Sequence, residues 1–214
     1  DDIHYLYYFA NFYYLAKEYD LCVTYINKAL EVSKKASTLD KYLTDTYLLE
    51  LYLMLLSIYM FQSKFQNIFD ARYDLKERKI IHPIIFLHLG ISSFKLNMFD
   101  FALEYLQLGL DIISDPNYST LIKINNNVKC KFEYYIALSK LQLKEELEKR
   151  PEQILFDYLS QNSEDFEIRN LLANLYLLNR QYKNTFTLLK IEDSDKDGIL
   201  TIAKGALSSN EDYT

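Results

Sequence analysis

The chain has 214 residues, half of them hydrophobic and a quarter charged, an ordinary balance for a globular protein able to bury a substantial core. Four glycines and three prolines are too few for the many tight turns of an all-β or α/β chain, so long helices joined by short polar loops are predicted. A net charge of −6 argues against a nucleic-acid partner, and the one short basic stretch, RYDLKERK at 72–79, fits a solvated helix end.

The first predicted helix lies in YLYYFANFYYLAKEYD, residues 5–20, where half the side chains are aromatic. Tyr5, Tyr8, Phe9, Phe12 and Tyr13 recur at three- and four-residue steps and cover more than one face. Such a helix is expected to touch both its partner and its next neighbour, with most of these rings in the core around the small Ala10. A second helix opens at Tyr19 and carries the small Cys22. The stretch KKASTLDKYLTD at 34–45 then interrupts the pattern, and Ser37, Thr38 and Asp40 are helix-starting residues. The helix they start is predicted to run through YLTDTYLLELYLMLLSIYMF. Its most apolar part, 51–61, is closed off by Glu50 and Lys64 and is too short to cross a membrane.

Further helices are predicted from Phe65, from Pro83 through Gly90, and from Phe99 through Ala102. SDPNYSTLIKINNNVKC at 114–130 reads as an exposed polar loop and a hinge. After it, CKFEYYIALSKLQLKEELEKR is expected to form one amphipathic helix, with Ala137 at its small position and Pro151 as its stop. Proline at the first turn starts PEQILFDYLSQ. A last pair opens at Phe166 and Tyr182, and DSDKDGILTIAK at 193–204 is expected to turn into a terminal capping helix from Ile199.

These elements repeat. ANFYYLAKEYDLCVTYINKAL (10–30) aligns with GISSFKLNMFDFALEYLQLGL (90–110), placing Ala10 on Gly90, Tyr19 on Phe99, Asp20 on Asp100, Cys22 on Ala102 and Tyr25 on Tyr105. ANLYLLNRQYKNTFTLLKI (173–191) and LSIYMFQSKFQNIFDARYDL (56–75) add two further copies, each with an aromatic opening its second helix: Tyr182 and Phe65. The pattern resembles the tetratricopeptide repeat, whose 34-residue unit is a pair of antiparallel helices with a leucine–glycine step followed by a tyrosine. Leu89-Gly90 keeps that step intact, and Phe9-Ala10, Leu55-Leu56 and Leu172-Ala173 stand for it elsewhere. Tyr13, Tyr59 and Tyr176 hold the tyrosine position, whereas Ser93 replaces it, and tryptophan is absent.

The resemblance implies an all-α, right-handed superhelix of antiparallel pairs, about ten helices in all. It places units near 3–36, 49–82, 83–116, a degenerate 130–163, and 166–191, with a polar turn and capping tail over 192–214. It also implies a concave groove lined by Tyr7, Asn11 and Tyr14, by Leu87, Ile91 and Phe94, and by Asn170 and Asn174, with His4 and Glu50 on the same rows. An asparagine there can both donate to and accept from a peptide backbone.

Catalytic motifs are lacking. Asp193, Asp195, Asp197 and Gly198 begin like a calcium loop, but Lys204 stands where a bidentate glutamate is required, so this is at most a weak divalent site beside the simpler reading as a turn and helix cap. His4, His82 and His88 form no ligand pair, Cys22 and Cys130 have no metal spacing, and no glycine-rich loop could cradle a phosphate. No cofactor and no resident metal are therefore expected. The unpaired cysteines fit a reducing, cytoplasmic setting, and the abundance of Ile, Lys, Asn and Tyr hints at a low-GC bacterium. The chain opens Asp-Asp-Ile without methionine or secretory signal, which leaves room for a preceding segment.

The function expected is a non-catalytic scaffold that binds proteins or peptides, a second copy among them, and neither nucleic acid nor membrane. Within that class it resembles the interaction, dimerisation or acceptor-presenting arm of a repeat-containing bacterial glycosyltransferase. The alternative is a peptide-sensing receptor of the bacterial quorum-sensing kind.

Overall fold

Residues 2–34, 41–119 and 125–189 are described by a computed structural model, and among them there are eleven helices and no strand. The chain divides into two compact units, Asp1–Lys123 and Ile124–Thr214. The first contains α1 (Ile3–Leu15), α2 (Tyr19–Ser33), α3 (Lys41–Phe61), α4 (Phe65–Glu77), α5 (Pro83–Lys95), α6 (Phe99–Ser114) and the single turn α7 (Pro116–Ser119). The second contains α8 (Asn126–Leu143), α9 (Pro151–Gln161), α10 (Phe166–Leu178) and α11 (Tyr182–Leu189). The expected capping helix, the helix-starting residues Ser37, Thr38 and Asp40, and Asp193, Asp195 and Asp197 lie outside the described residues. Among the described residues no helix is long and apolar enough to cross a membrane.

The helix starts follow from side chains that satisfy the free amides of a first turn. Asp2 accepts from the His4 amide at 3.0 Å, and Asp165 from that of Ile168 at 3.1 Å. His82 caps α5 with its imidazole: Nδ1 accepts from the Ile84 amide at 3.2 Å, and Pro83 fills the first helical position, where an amide would have no partner.

Six helix ends follow one plan. Lys17, Ser63, Lys79, Asn97, Lys144 and Arg180 all adopt left-handed backbone, with φ between 54° and 61°. In each case two amides turn back onto the last helical carbonyls. Lys17 and Glu18 donate to Tyr14 and Tyr13, Asn97 and Met98 to Phe94 and Ser93, and Arg180 and Gln181 to Leu177 and Tyr176. This is the Schellman closure, usually built on glycine and here built without it. It explains how so glycine-poor a chain makes so many sharp helix reversals.

One predicted boundary needs correction. α8 was expected to start at Cys130 and run to Pro151, but it begins at Asn126 and stops at Leu143. Asn125 accepts from the Asn127 amide and so acts as a cap, which draws the three asparagines into the helix start. Lys144 in left-handed backbone ends the helix before the proline is reached, leaving 145–150 irregular.

Helices pair as neighbours in sequence: α1 with α2, α5 with α6, α8 with α9 and α10 with α11. Within the first unit, α3 lies against both α1 and α2, and α5 against α3 and α4. The small residues sit at the closest approaches, since Ala10, Cys22 and Ala102 are fully buried and Gly90 is buried with them. A methyl carbon added at Gly90 would lie 2.6 Å from Cδ2 of the fully buried Leu106 and closer still to its Cγ, so glycine is what lets α5 and α6 touch. One apolar core runs through α1–α5. Another joins Cys130 and Tyr134 of α8 to Leu155, Leu159, Ile168, Leu172 and Leu175.

A polar knot ties three helices of the first unit together. Arg78, just past α4, donates to the Ser33 hydroxyl at 2.9 Å and the Leu30 carbonyl at 3.2 Å, both on α2, and pairs with Asp74 at 3.2 Å. Asp74 also accepts from the Tyr52 hydroxyl on α3. Burial would raise the Asp74 carboxyl, but the hydrogen bonds from Tyr52 and Arg78, with the charges of Arg78 and Lys34, outweigh it and hold the group below its usual value.

A second correction concerns the aromatic opening stretch. Leu6 and Ala10 are the buried residues of α1, and Tyr7, Tyr13 and Tyr14 are half-buried, but Tyr5, Tyr8, Phe9 and Phe12 stand in solvent. The repeat register shows the reason. The positions of Tyr5, Phe9 and Phe12 correspond to Leu51, Leu55 and Ile58 in α3, Ile85, Leu89 and Ser92 in α5, and Ile168, Leu172 and Leu175 in α10. All nine of those counterparts are buried, on helices that each pack against the helix or helices before them. On α1 the same positions have no such neighbour among the described residues.

Candidate binding site

The sequence-selected groove residues fall into both units. Tyr7, Asn11, Tyr14, Leu87, Ile91 and Phe94 belong to the first, and Asn170 and Asn174 to the second. Asn11 and Asn170 are half-buried and Asn174 is exposed, whereas Leu87 and Ile91 are buried. The α5 residues therefore offer packing surface, and the accessible polar groups of the rows lie on α1 and α3 in the first unit and on α10 in the second. Tyr14 and Phe94 are each half-buried and set edge-on to the aromatic that opens the following helix, Tyr19 at 6.4 Å and Phe99 at 5.5 Å between ring centres.

The best-formed part of the surface joins α1 to α3. The Tyr7 hydroxyl donates to Glu50 at 3.2 Å, and the Tyr7 ring lies 4.7 Å from that of Tyr47. His4 sits 5.4 Å from the same ring, and Asn11 lies one turn further along α1 from Tyr7. Burial, followed by the charge and hydrogen bond of Glu50, raises the Tyr7 hydroxyl above its ordinary value, so it stays a hydrogen-bond donor across the neutral range. The assembly offers aromatic edges, one carboxylate and one amide on rigid helices. These groups suit an extended peptide, whose backbone an amide can meet and whose apolar or basic side chain the rings and carboxylate can hold.

Tyr47 escapes the repeat pattern because it sits two residues before the standard start of its unit. It is the extra length of α3 that carries it over α1, and the only sign in the sequence is that the helix is longer than its counterparts.

The second unit has a cleft of about 280 Å³ between α8 and α9, lined by Cys130, Glu133, Ile154, Asp157 and Tyr158 among others, including Lys149, which donates to Asp157 at 2.8 Å. Burial, then the nearby Glu133 and Asp165 charges, push the Cys130 thiol up to about 12. Burial pushes Cys22 up to about 11. Neither is a thiolate nucleophile near neutral pH. Among the described residues no group of three or more His, Cys, Asp and Glu could hold a metal ion.

Comparison with protein-family models, with curated proteins and with solved structures gives no match for the chain.

Proposed function

We propose that the chain is a non-catalytic helical-repeat scaffold of the tetratricopeptide kind that binds proteins or peptides. The observation that carries this reading is the Tyr7–Tyr47–Glu50 cluster with Asn11 beside it: hydrogen-bonding groups held on two packed helices. The alternating paired helices, closed by the same turn each time, supply the rigid frame such a surface needs. As an arm of a larger protein, resembling that of a bacterial glycosyltransferase, it would present a partner or join two copies in the cytoplasm.

The test is binding of a library of fluorescent ten-residue peptides to the full chain, read by polarisation. Ligands that bind are expected to lose at least tenfold in affinity on Tyr7→Ala and on Asn11→Ala. Binding that ignores both substitutions, or no binding by any peptide, would remove the groove from consideration.

A further inference from the structure

We infer that the outer face of α1 is a self-association surface, on which a second copy of the chain lays its own α1 in the antiparallel sense about a two-fold axis. The inference extends the scaffold reading, on which it rests, by naming one partner.

The face is a continuous stripe. Tyr5, Tyr8, Phe9, Phe12 and Leu15 follow one another at the steps that place residues on a single side of a helix, and they are between 49% and 74% exposed. Their counterparts of Tyr5, Phe9 and Phe12 in α3, α5 and α10 are between 0% and 9% exposed. The fold thus covers this position with helix wherever it recurs, and α1 offers the same kind of surface uncovered.

Two observations select a second copy as the occupant. The first is area. At about 150–250 Å² per aromatic side chain, four half- to two-thirds-exposed rings and Leu15 present roughly 600 Å² of apolar surface, at the top of the range for the largest patch on a monomer. Two such faces together remove roughly 1,200 Å² from water, within the range of specific interfaces. The second is charge. From Ile3 to Leu15, α1 contains no Asp, Glu, Lys or Arg, so its own copy brings no like charge to the seam and leaves none buried. A two-fold axis requires this self-complementarity, and it sets the helix dipoles head to tail. The groove residues Tyr7, Asn11 and Tyr14 lie on a neighbouring side of α1. The stripe meets them at Tyr8, whose ring lies 5.5 Å from that of Tyr7 and 4.7 Å from that of His4, whereas Phe9 and Phe12 carry the contact away from the groove.

Sedimentation of the full chain is expected to show a dimer at tens of micromolar, and Phe9→Glu and Phe9→Lys are each expected to weaken it at least tenfold with helicity retained. Mixing those two variants is expected to restore dimers, because opposite charges then meet near the axis. Should either lose helicity, Leu15→Glu, at the most exposed residue of the stripe, reads the same contact. A wild-type chain that stays monomeric at 100 µM would overturn the inference, as would variants that dimerise unchanged or a mixture that fails to associate. Peptide binding scored in the same samples separates failure of this surface from failure of the groove.

Discussion

Gly90 shows how much can rest on the absence of one carbon. Replacing it with alanine gains about 1 kcal/mol of helix propensity, yet the new methyl would lie 2.6 Å from Cδ2 of the fully buried Leu106, which must then shift within a packed core. Overpacking is expected to win, so Gly90→Ala lowers stability by about 1–3 kcal/mol in urea titration. Trimming the obstacle with Leu106→Val in the same chain should recover part of that loss. His82 provides a residue-scale test of a different kind. Its imidazole is buried and caps α5 through Nδ1, so burial lowers its proton affinity and protonation breaks the cap. Because the folded value is depressed, stability is full above the ordinary imidazole value of about 6.5 and declines as pH falls from there through the folded value. His82→Asn keeps a capping acceptor without the titration. The fall in Tm between pH 7 and pH 5 is expected to be smaller in that variant than in the parent, since only residue 82 differs between them.

Among the elements, the junction of α2, α3 and α4 is tied by Arg78 in addition to its apolar core. Arg78→Met keeps the length of the side chain but takes the guanidinium from Asp74 and from the Ser33 hydroxyl, and leaves the Leu30 carbonyl with the Ser33 hydroxyl as its side-chain donor. A loss of about 2–3 kcal/mol is expected, with protection of α2 amides in hydrogen exchange falling first. Element positions were largely legible beforehand. Tyr19, Phe65, Phe99 and Tyr182 open the second helices as the repeat pattern requires, and Pro83 and Pro151 open theirs. Two things were not legible. Periodicity reports that Tyr5, Phe9 and Phe12 share a face, but not whether another helix lies on that face. The stop at Lys144 was equally hidden, because lysine carries no compositional sign of left-handed backbone and Pro151 downstream looked sufficient. The groove was legible only in outline: Tyr7 and Asn11 were named from the register, Tyr47 was missed, and Leu87 and Ile91 turned out to be buried.

Taken as a whole, the molecule reverses direction with side-chain-bearing residues where glycine would be easier. An L-residue in left-handed backbone costs about 1–2 kcal/mol, while glycine at the same place gives back about 0.5–1 kcal/mol through the freedom of the unfolded chain. Each of Lys17→Gly, Ser63→Gly, Asn97→Gly and Arg180→Gly is therefore expected to raise stability by about 0.5–1 kcal/mol, with Asn97 gaining least because asparagine tolerates this region best. Calorimetry of the four single variants, and then of the combination, measures the effect, and no gain in any of them would show that the turns are held by something other than their backbone. These sites are distant from one another in sequence and from Tyr7 and Asn11, although Lys17 and Asn97 close the helices that end just past Tyr14 and Phe94, and Lys17 follows the outer stripe of α1. The chain thus holds an unused margin of thermal tolerance, open to a handful of point changes. A form of the protein hardened in this way could then accept destabilising substitutions at its binding surfaces and remain folded while its partners are sought.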